Sequence, residues 1–228
     1  MKKIKTILMT LAFTFGTLSI INAQDWPNLE QFREAKEKLQ APKADENRVV
    51  FMGNSITIGW LNKRPEFFEG KPYVNRGISG QTTPQMLLRF RQDVIDLHPK
   101  VVVILAGTND IAGNTGPSTI AMIADNIKSM AELAHAHGIK VVLSSTLPAY
   151  DYPWKPGMEP AGKIVALNKL IQDYAMENGF VYLDYFTAMA DSKNGLPKNY
   201  AEDGVHPTVE GYQVMEPMLE AAIAKALE

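Results

Sequence analysis

The stretch VFMGNSITIGW at residues 50–60 runs an apolar strand straight into Gly53-Asn54-Ser55 and then resumes its apolar character. Two readings are open for such a break. One is an ordinary turn that happens to contain a serine. The other is a strand-to-helix turn that presents Ser55 as a nucleophile. The choice depends on what surrounds the segment.

Working outward, near-continuous apolar or β-branched segments recur at 48–52, 73–75, 100–105, 140–144 and 181–184. Helix-length amphipathic stretches at 84–97, 117–137, 161–178 and 208–227 separate or follow them. Short strands without polar alternation are buried on both faces, which is the habit of parallel sheets with helical crossovers. The expected fold is therefore α/β: a three-layer α/β/α sandwich around a mostly parallel five-stranded sheet. Thr83 before Pro84, Gly138 after His137 and Gly179 after Asn178 are the expected helix caps. Ligands in open sheets of this kind bind beyond the carboxyl ends of the strands. The segments to inspect are thus GNSIT, RGISGQTT, AGTND, STLPAYDYPWKPG and, last, EDGVHP.

Composition narrows the possible functions. Lys2, Lys3 and Lys5 precede a mostly apolar run from Ile7 to Ile21 that ends in Ile21-Asn22-Ala23, the order of a secretory signal peptide. Cleavage is expected near Ala23, leaving one exported domain over 24–228, periplasmic or secreted. The run is interrupted by Thr10, Thr14, Thr17 and Ser19 and falls short of the roughly 20 residues a spanning helix needs, so no membrane span is expected in the mature chain. The sequence has no cysteine, which excludes disulfides, thiol catalysis and a lipid anchor on cysteine. Removing the leader's three lysines leaves 20 basic against 25 acidic residues, a formal charge of −5. Scattered and outnumbered basic residues are no footprint for nucleic acid; a small-molecule or glycan partner is expected.

The chain has four histidines. His98 precedes Pro99 at a helix end, where a cation suits the dipole. His135 and His137, two apart on a helix, point to different sides and cannot share a metal. His206 differs, because it lies three residues after Asp203 in a turn-rich Asp-Gly-Val-His-Pro segment. That spacing brings the two side chains together in a turn. An Asp on one ring nitrogen leaves the other free to accept a serine proton. Ser55 opens a helix-like turn whose free N–H groups favour a developing negative charge. Gly80 can offer its backbone N–H at close range and Asn109 its amide, completing the parts of an oxyanion hole.

GNSIT, the glycine of ISGQT, the asparagine of GTND and DGVHP fall in the order and approximate spacing of the four blocks of the SGNH hydrolases, or GDSL-like lipases and acylhydrolases. The resemblance runs from about Val49 to Gly211. It implies a flavodoxin-like sandwich and ester hydrolysis without metal or cofactor. It also implies Ser55 as nucleophile, His206 as base, Asp203 as its partner, and Gly80, Asn109 and the Ser55 N–H as oxyanion donors. One position departs: the family's usual Asp before the nucleophile is Asn54 here, which alters local charge and the pinning of the turn.

Other chemistries fit less well. GISGQTT is neither a Walker loop nor a dinucleotide fingerprint, and no H-E-x-x-H zinc pattern occurs. A catalytically dead glycan-binding module would leave catalytic positions unfilled, whereas all are filled here. Within the family, a lysophospholipase or thioesterase remains the alternative to a short-chain, acetyl-removing esterase. Trp60, Tyr150, Tyr152 and Trp154 are the candidate substrate-binding aromatics, able to pack on a sugar ring or simply to pack their own loops.

Overall fold

The computed structural model describes residues 25–228, so the leader read at 1–23 lies outside the described residues. In chain order the elements are α1 (Arg33–Lys38), β1 (Val49–Gly53), α2 (Ser55–Lys63), α3 (Pro65–Phe68), β2 (Tyr73–Gly77) and α4 (Thr83–Asp93). They continue with β3 (Val101–Leu105), α5 (Thr108–Ile111), α6 (Ile120–Ala136) and β4 (Lys140–Ser144). The last are α7 (Pro160–Glu177), β5 (Val181–Leu183), α8 (Tyr185–Met189) and α9 (Val209–Leu227). The strand order is β2-β1-β3-β4-β5 and every pairing is parallel. The order reverses beside β1, so a crevice opens at the carboxyl ends of β1 and β3, where a doubly wound sheet places its ligand.

Strand alternation explains the two cores. On β1, Val50 and Met52 join the cluster formed with Met86 and Phe90 of α4, Ile123 and Ile127 of α6, and Ile164 and Leu167 of α7. Val49 and Phe51 point the other way, to Ile56 and Trp60 of α2, Phe67 and Phe68 of α3, and Tyr212, Met215 and Leu219 of α9. Both faces of the strand are thus dry, which is why its sequence shows no polar alternation.

Helix boundaries differ from the sequence reading for local reasons. The cap of α4 is Thr82, not Thr83: Thr82 and Gln85 form a capping box, and Thr83 and Pro84 already lie inside the helix. The helix then stops at Asp93, and a separate 3-10 turn, Ile95–Leu97, carries the chain to His98 in a left-handed conformation. α6 starts at Ile120 rather than at Pro117, because the Thr119 side chain accepts from the Met122 N–H and so caps it there. Gly138 and Gly179 follow the ends of α6 and α7 with φ of 72° and 68°, as expected of left-handed caps.

The polar interior is concentrated under the crevice. Arg89 of α4 is fully buried; its guanidinium donates to Asp93 (3.0 Å), to Gly53 O (3.1 Å) and to Arg76 O (2.8 Å). It thereby ties the carboxyl ends of β1 and β2 to one helix. Removing one partner of such a buried pair strands the other charge and typically costs about 3–5 kcal/mol.

Candidate active site

Ser55 is the first residue of α2. Asn54 caps that helix with its side-chain oxygen, which accepts from the Ile56 N–H at 3.0 Å. A neutral amide oxygen therefore does the pinning at the position where an Asp was expected. The turn is also held from below. A Cβ on Gly77 would collide with the Ile58 N and lie 2.8 Å from Asn54 O, so only glycine lets the end of β2 approach the start of α2 this closely.

His206 arrives from the loop before α9. Its Nε2 lies 2.9 Å from Ser55 Oγ and its Nδ1 lies 2.6 Å from Asp203 Oδ2. Asp203 Oδ1 accepts from the backbone N–H groups of Val205 (2.9 Å) and His206 (2.8 Å). Partial burial pushes the Asp203 carboxyl up, but these hydrogen bonds and the neighbouring imidazole together hold it below the usual carboxylate range. The acid is thus ionised at neutral pH, with one oxygen committed to backbone and the other to the ring.

The three candidate oxyanion donors follow the carboxyl ends of three adjacent strands, Ser55 after β1, Gly80 after β2 and Asn109 after β3. Gly80 has φ of 77°, a conformation that suits glycine, and among the described residues neither its N–H nor that of Ser55 has an acceptor. Asn109, on α5 and nearly fully buried, donates from Nδ2 to Gln81 O at 2.9 Å. A carbonyl can only accept, so it fixes which end of the amide faces it and leaves the second N–H of Nδ2 free.

The residue after Asn109 does structural work that the sequence did not signal. Asp110 accepts from the Thr83 N–H at 2.9 Å and the Thr83 hydroxyl at 2.6 Å, stitching α5 to the start of α4. Burial pushes its carboxyl up to about 6, against the opposing pull of those bonds. An acid raised in the folded state binds protons there more readily than in the unfolded chain, so stability falls as pH rises from about 4 to about 6. A shift of that size corresponds to ~3 kcal/mol. Asp110→Asn, which cannot ionise, is expected to flatten this slope; melting temperatures of both proteins between pH 4 and 8 measure it, and parallel curves would contradict it.

The four aromatic candidates divide. Trp60 is 3% exposed, stacked between Phe67 (5.2 Å) and Tyr212 (5.3 Å), with its indole N–H towards Glu216. It is a core residue and cannot meet a substrate. Tyr152 is fully buried; its phenol oxygen accepts from the Thr108 hydroxyl at 3.0 Å, and burial pushes the phenol up to about 12. It too is out of reach of a ligand. Trp154 is 42% exposed, stacks on Tyr152 at 5.0 Å and lies 5.9 Å from the His206 ring. Tyr150 is 63% exposed, and with Pro153, Leu196 and Lys198 it lines a cleft of about 360 Å³ that reaches Asp203. The loop carrying them is anchored: Asp151 accepts from the N–H groups of Tyr152, Gly157 and Met158, and Lys155 reaches Ala112 O at 2.7 Å.

A sequence model of the GDSL-like lipase/acylhydrolase family matches residues 51–214. The chain belongs to that family. A GDSL-like lipase of Bacteroides thetaiotaomicron is 48% identical and superposes with a TM-score of 0.86 over 88% of this chain and 99% of its own. An acetylxylan esterase of Xylanibacter ruminicola is 25% identical over 92% of this chain and 49% of its own length. Esterase TesA of Pseudomonas aeruginosa is 30% identical over 69% of this chain and 74% of its own length. The chain spans 33% and 49% of the lengths of the first two curated relatives it matches. Family membership accounts for the sheet order, and the segments that carry Ser55, Gly80, Asn109 and His206 all fall inside the matched range.

Proposed function

We propose that this chain is an exported serine esterase that removes short acyl groups, acetyl first among them, from carbohydrate esters. The observation that carries the chemistry is the Ser55–His206–Asp203 chain, at 2.9 and 2.6 Å, together with N–H groups of Ser55 and Gly80 that have no acceptor among the described residues. Ser55 Oγ attacks the ester carbonyl carbon as its proton passes to His206 Nε2. The oxyanion so formed accepts from the Ser55 N–H, the Gly80 N–H and Asn109 Nδ2. Collapse of that intermediate breaks the bond to the alcohol oxygen, which leaves with the proton from Nε2. Water then repeats the cycle on the acyl-enzyme, releasing the carboxylic acid and regenerating Ser55.

Three features support a polar, short-chain substrate. The leader of residues 1–23 directs the chain to where glycans are met. One relative over most of this chain is an acetylxylan esterase. Trp154 offers an exposed indole face beside His206, its N–H 3.4 Å from Asn114 Oδ1. A flat apolar face with a polar tip suits a sugar ring.

A chain-length series of p-nitrophenyl esters, run beside acetylated xylan and an acetylated sialic acid, tests the reading. Acetate release from a glycan and preference for the shortest acyl chains are expected. Preference for chains of roughly eight carbons or more, with no glycan turnover, would favour the lysophospholipase or thioesterase alternative, since only those substrates present a long apolar acyl group to bury. No hydrolysis at all would leave a glycan-binding module. Trp154→Ala should raise KM for the glycan by about fivefold, the size of one stacking contact, with little change on p-nitrophenyl acetate. Equal loss on both would make Trp154 a support for its loop.

A further inference from the structure

Gln81 lies directly after Gly80 and, besides the turn bond from its own N–H to Ile78 O, makes three hydrogen bonds with three distant parts of the chain. Its backbone carbonyl accepts from Asn109 Nδ2 at 2.9 Å. Its side-chain oxygen accepts from Arg89 Nε at 2.5 Å, and its side-chain nitrogen donates to Pro27 O at 2.8 Å. The residue is 2% exposed, so both ends of its amide are held away from water. The same Arg89 guanidinium donates to Gly53 O, two residues before Ser55. One buried cation therefore references the nucleophile turn and the Asn109 acceptor to each other.

The third partner belongs to a strap that crosses the outside of α4. Gln85 donates to Trp26 O and Gln92 to Leu29 O, each at 2.6 Å, in the same manner as Gln81 to Pro27 O. The Phe32 ring lies 4.7 Å from the Arg76 guanidinium and 5.9 Å from that of Arg89. Nε and Nη2 of Arg76 are buried without a hydrogen-bond partner among the described residues, so the ring face is the partner this cation has on that side. The strap closes the dry compartment in which Arg89 holds Gln81.

We propose that Gln81 is a positioning residue of the oxyanion hole, aiming the Asn109 amide through its own carbonyl, and that the strap around Pro27 and Phe32 holds Gln81 in place. The proposal rests on the reading of Asn109 as an oxyanion donor. The free N–H of Nδ2 is aimed only as well as its bonded sister is anchored, and that anchor is a loop carbonyl whose own side chain is clamped from two sides. Oxyanion stabilisation depends steeply on donor placement, because the donor must be aligned before charge develops.

A double-mutant cycle on p-nitrophenyl acetate tests it. Asn109→Ala should lower kcat by about 10²–10³. Gln81→Met, which keeps volume but loses both side-chain bonds, should lower kcat by about tenfold, a fraction of that donor's contribution, with KM little changed. Introduced into Asn109→Ala, Gln81→Met should cost less than about twofold, because the amide it aims is gone. Phe32→Ala, which removes the half-buried ring of the strap and touches no candidate site residue, should show a smaller kcat loss that likewise disappears in the Asn109→Ala background. Equal proportional losses in both backgrounds, or an unchanged kcat in Gln81→Met, would overturn the proposal and leave the strap a purely structural element. An unchanged kcat in Asn109→Ala itself would instead remove the donor, and the proposal with it.

Discussion

Ser55→Ala is expected to lower kcat on p-nitrophenyl acetate by about 10⁶, His206→Ala by a similar factor, and the double variant scarcely further. The reason is that in the proposed reaction the two side chains perform one act. The hydroxyl is a weak nucleophile until its proton has somewhere to go, and the proposed acceptor is Nε2, 2.9 Å away. Remove either group and the other has no function left to lose. What remains is the rate supplied by binding and by the donors around the carbonyl oxygen. Both variants should fold, because Ser55 is a half-buried first residue of a helix capped by Asn54, whose truncation removes only one hydroxyl, and His206 is partly open to solvent. Circular dichroism and the melting temperature check this. A correctly folded Ser55→Ala protein with near-normal turnover would end the nucleophile assignment.

The parts of this site that were legible in the sequence are those that depend on local order. A β-branched run ending in Gly-Asn-Ser marks a strand end, and the carboxyl ends of parallel strands are where side chains gather. Asp203 and His206 are three residues apart, so one turn suffices to join them. Residues whose role is set by distant parts of the chain were not legible. Trp60 follows the nucleophile turn and so read as a candidate for the site. Its surroundings are decided by Tyr212 and Glu216, more than 150 residues away on α9, and they bury it. Tyr152 and Trp154 are near neighbours in one aromatic loop, yet the hydroxyl of Thr108 draws the first into the interior while the second is left at the surface. Thr82 and Thr83 are chemically identical, so local sequence does not tell which of them caps α4. Only the capping box with Gln85 and the bond from Thr83 to Asp110 distinguish them. Gln81 carried one weak signal, its place directly after the glycine of ISGQT; nothing in its neighbours announces Arg89 or Pro27.

Asp203→Asn separates charge from geometry at the far end of the triad, and it is expected to lower kcat by about 10⁴. The backbone decides the orientation of the new amide. The N–H groups of Val205 and His206, at 2.9 and 2.8 Å, require an oxygen at the Oδ1 position, so the amide must put its oxygen there and turn its NH₂ towards His206 Nδ1. A ring nitrogen facing a donor must be the acceptor, which moves the ring proton to Nε2. Nε2 then points an N–H at Ser55 Oγ and has no lone pair to receive the serine proton. The fold loses little, since the loop keeps both backbone hydrogen bonds and the side-chain volume is unchanged. The expected signature is therefore a large fall in kcat, an almost unchanged KM and a melting temperature close to that of the parent. A loss of less than about tenfold would mean that the carboxylate does not set the tautomer. Packing against Trp154, 5.9 Å from the ring, would then be what orients His206.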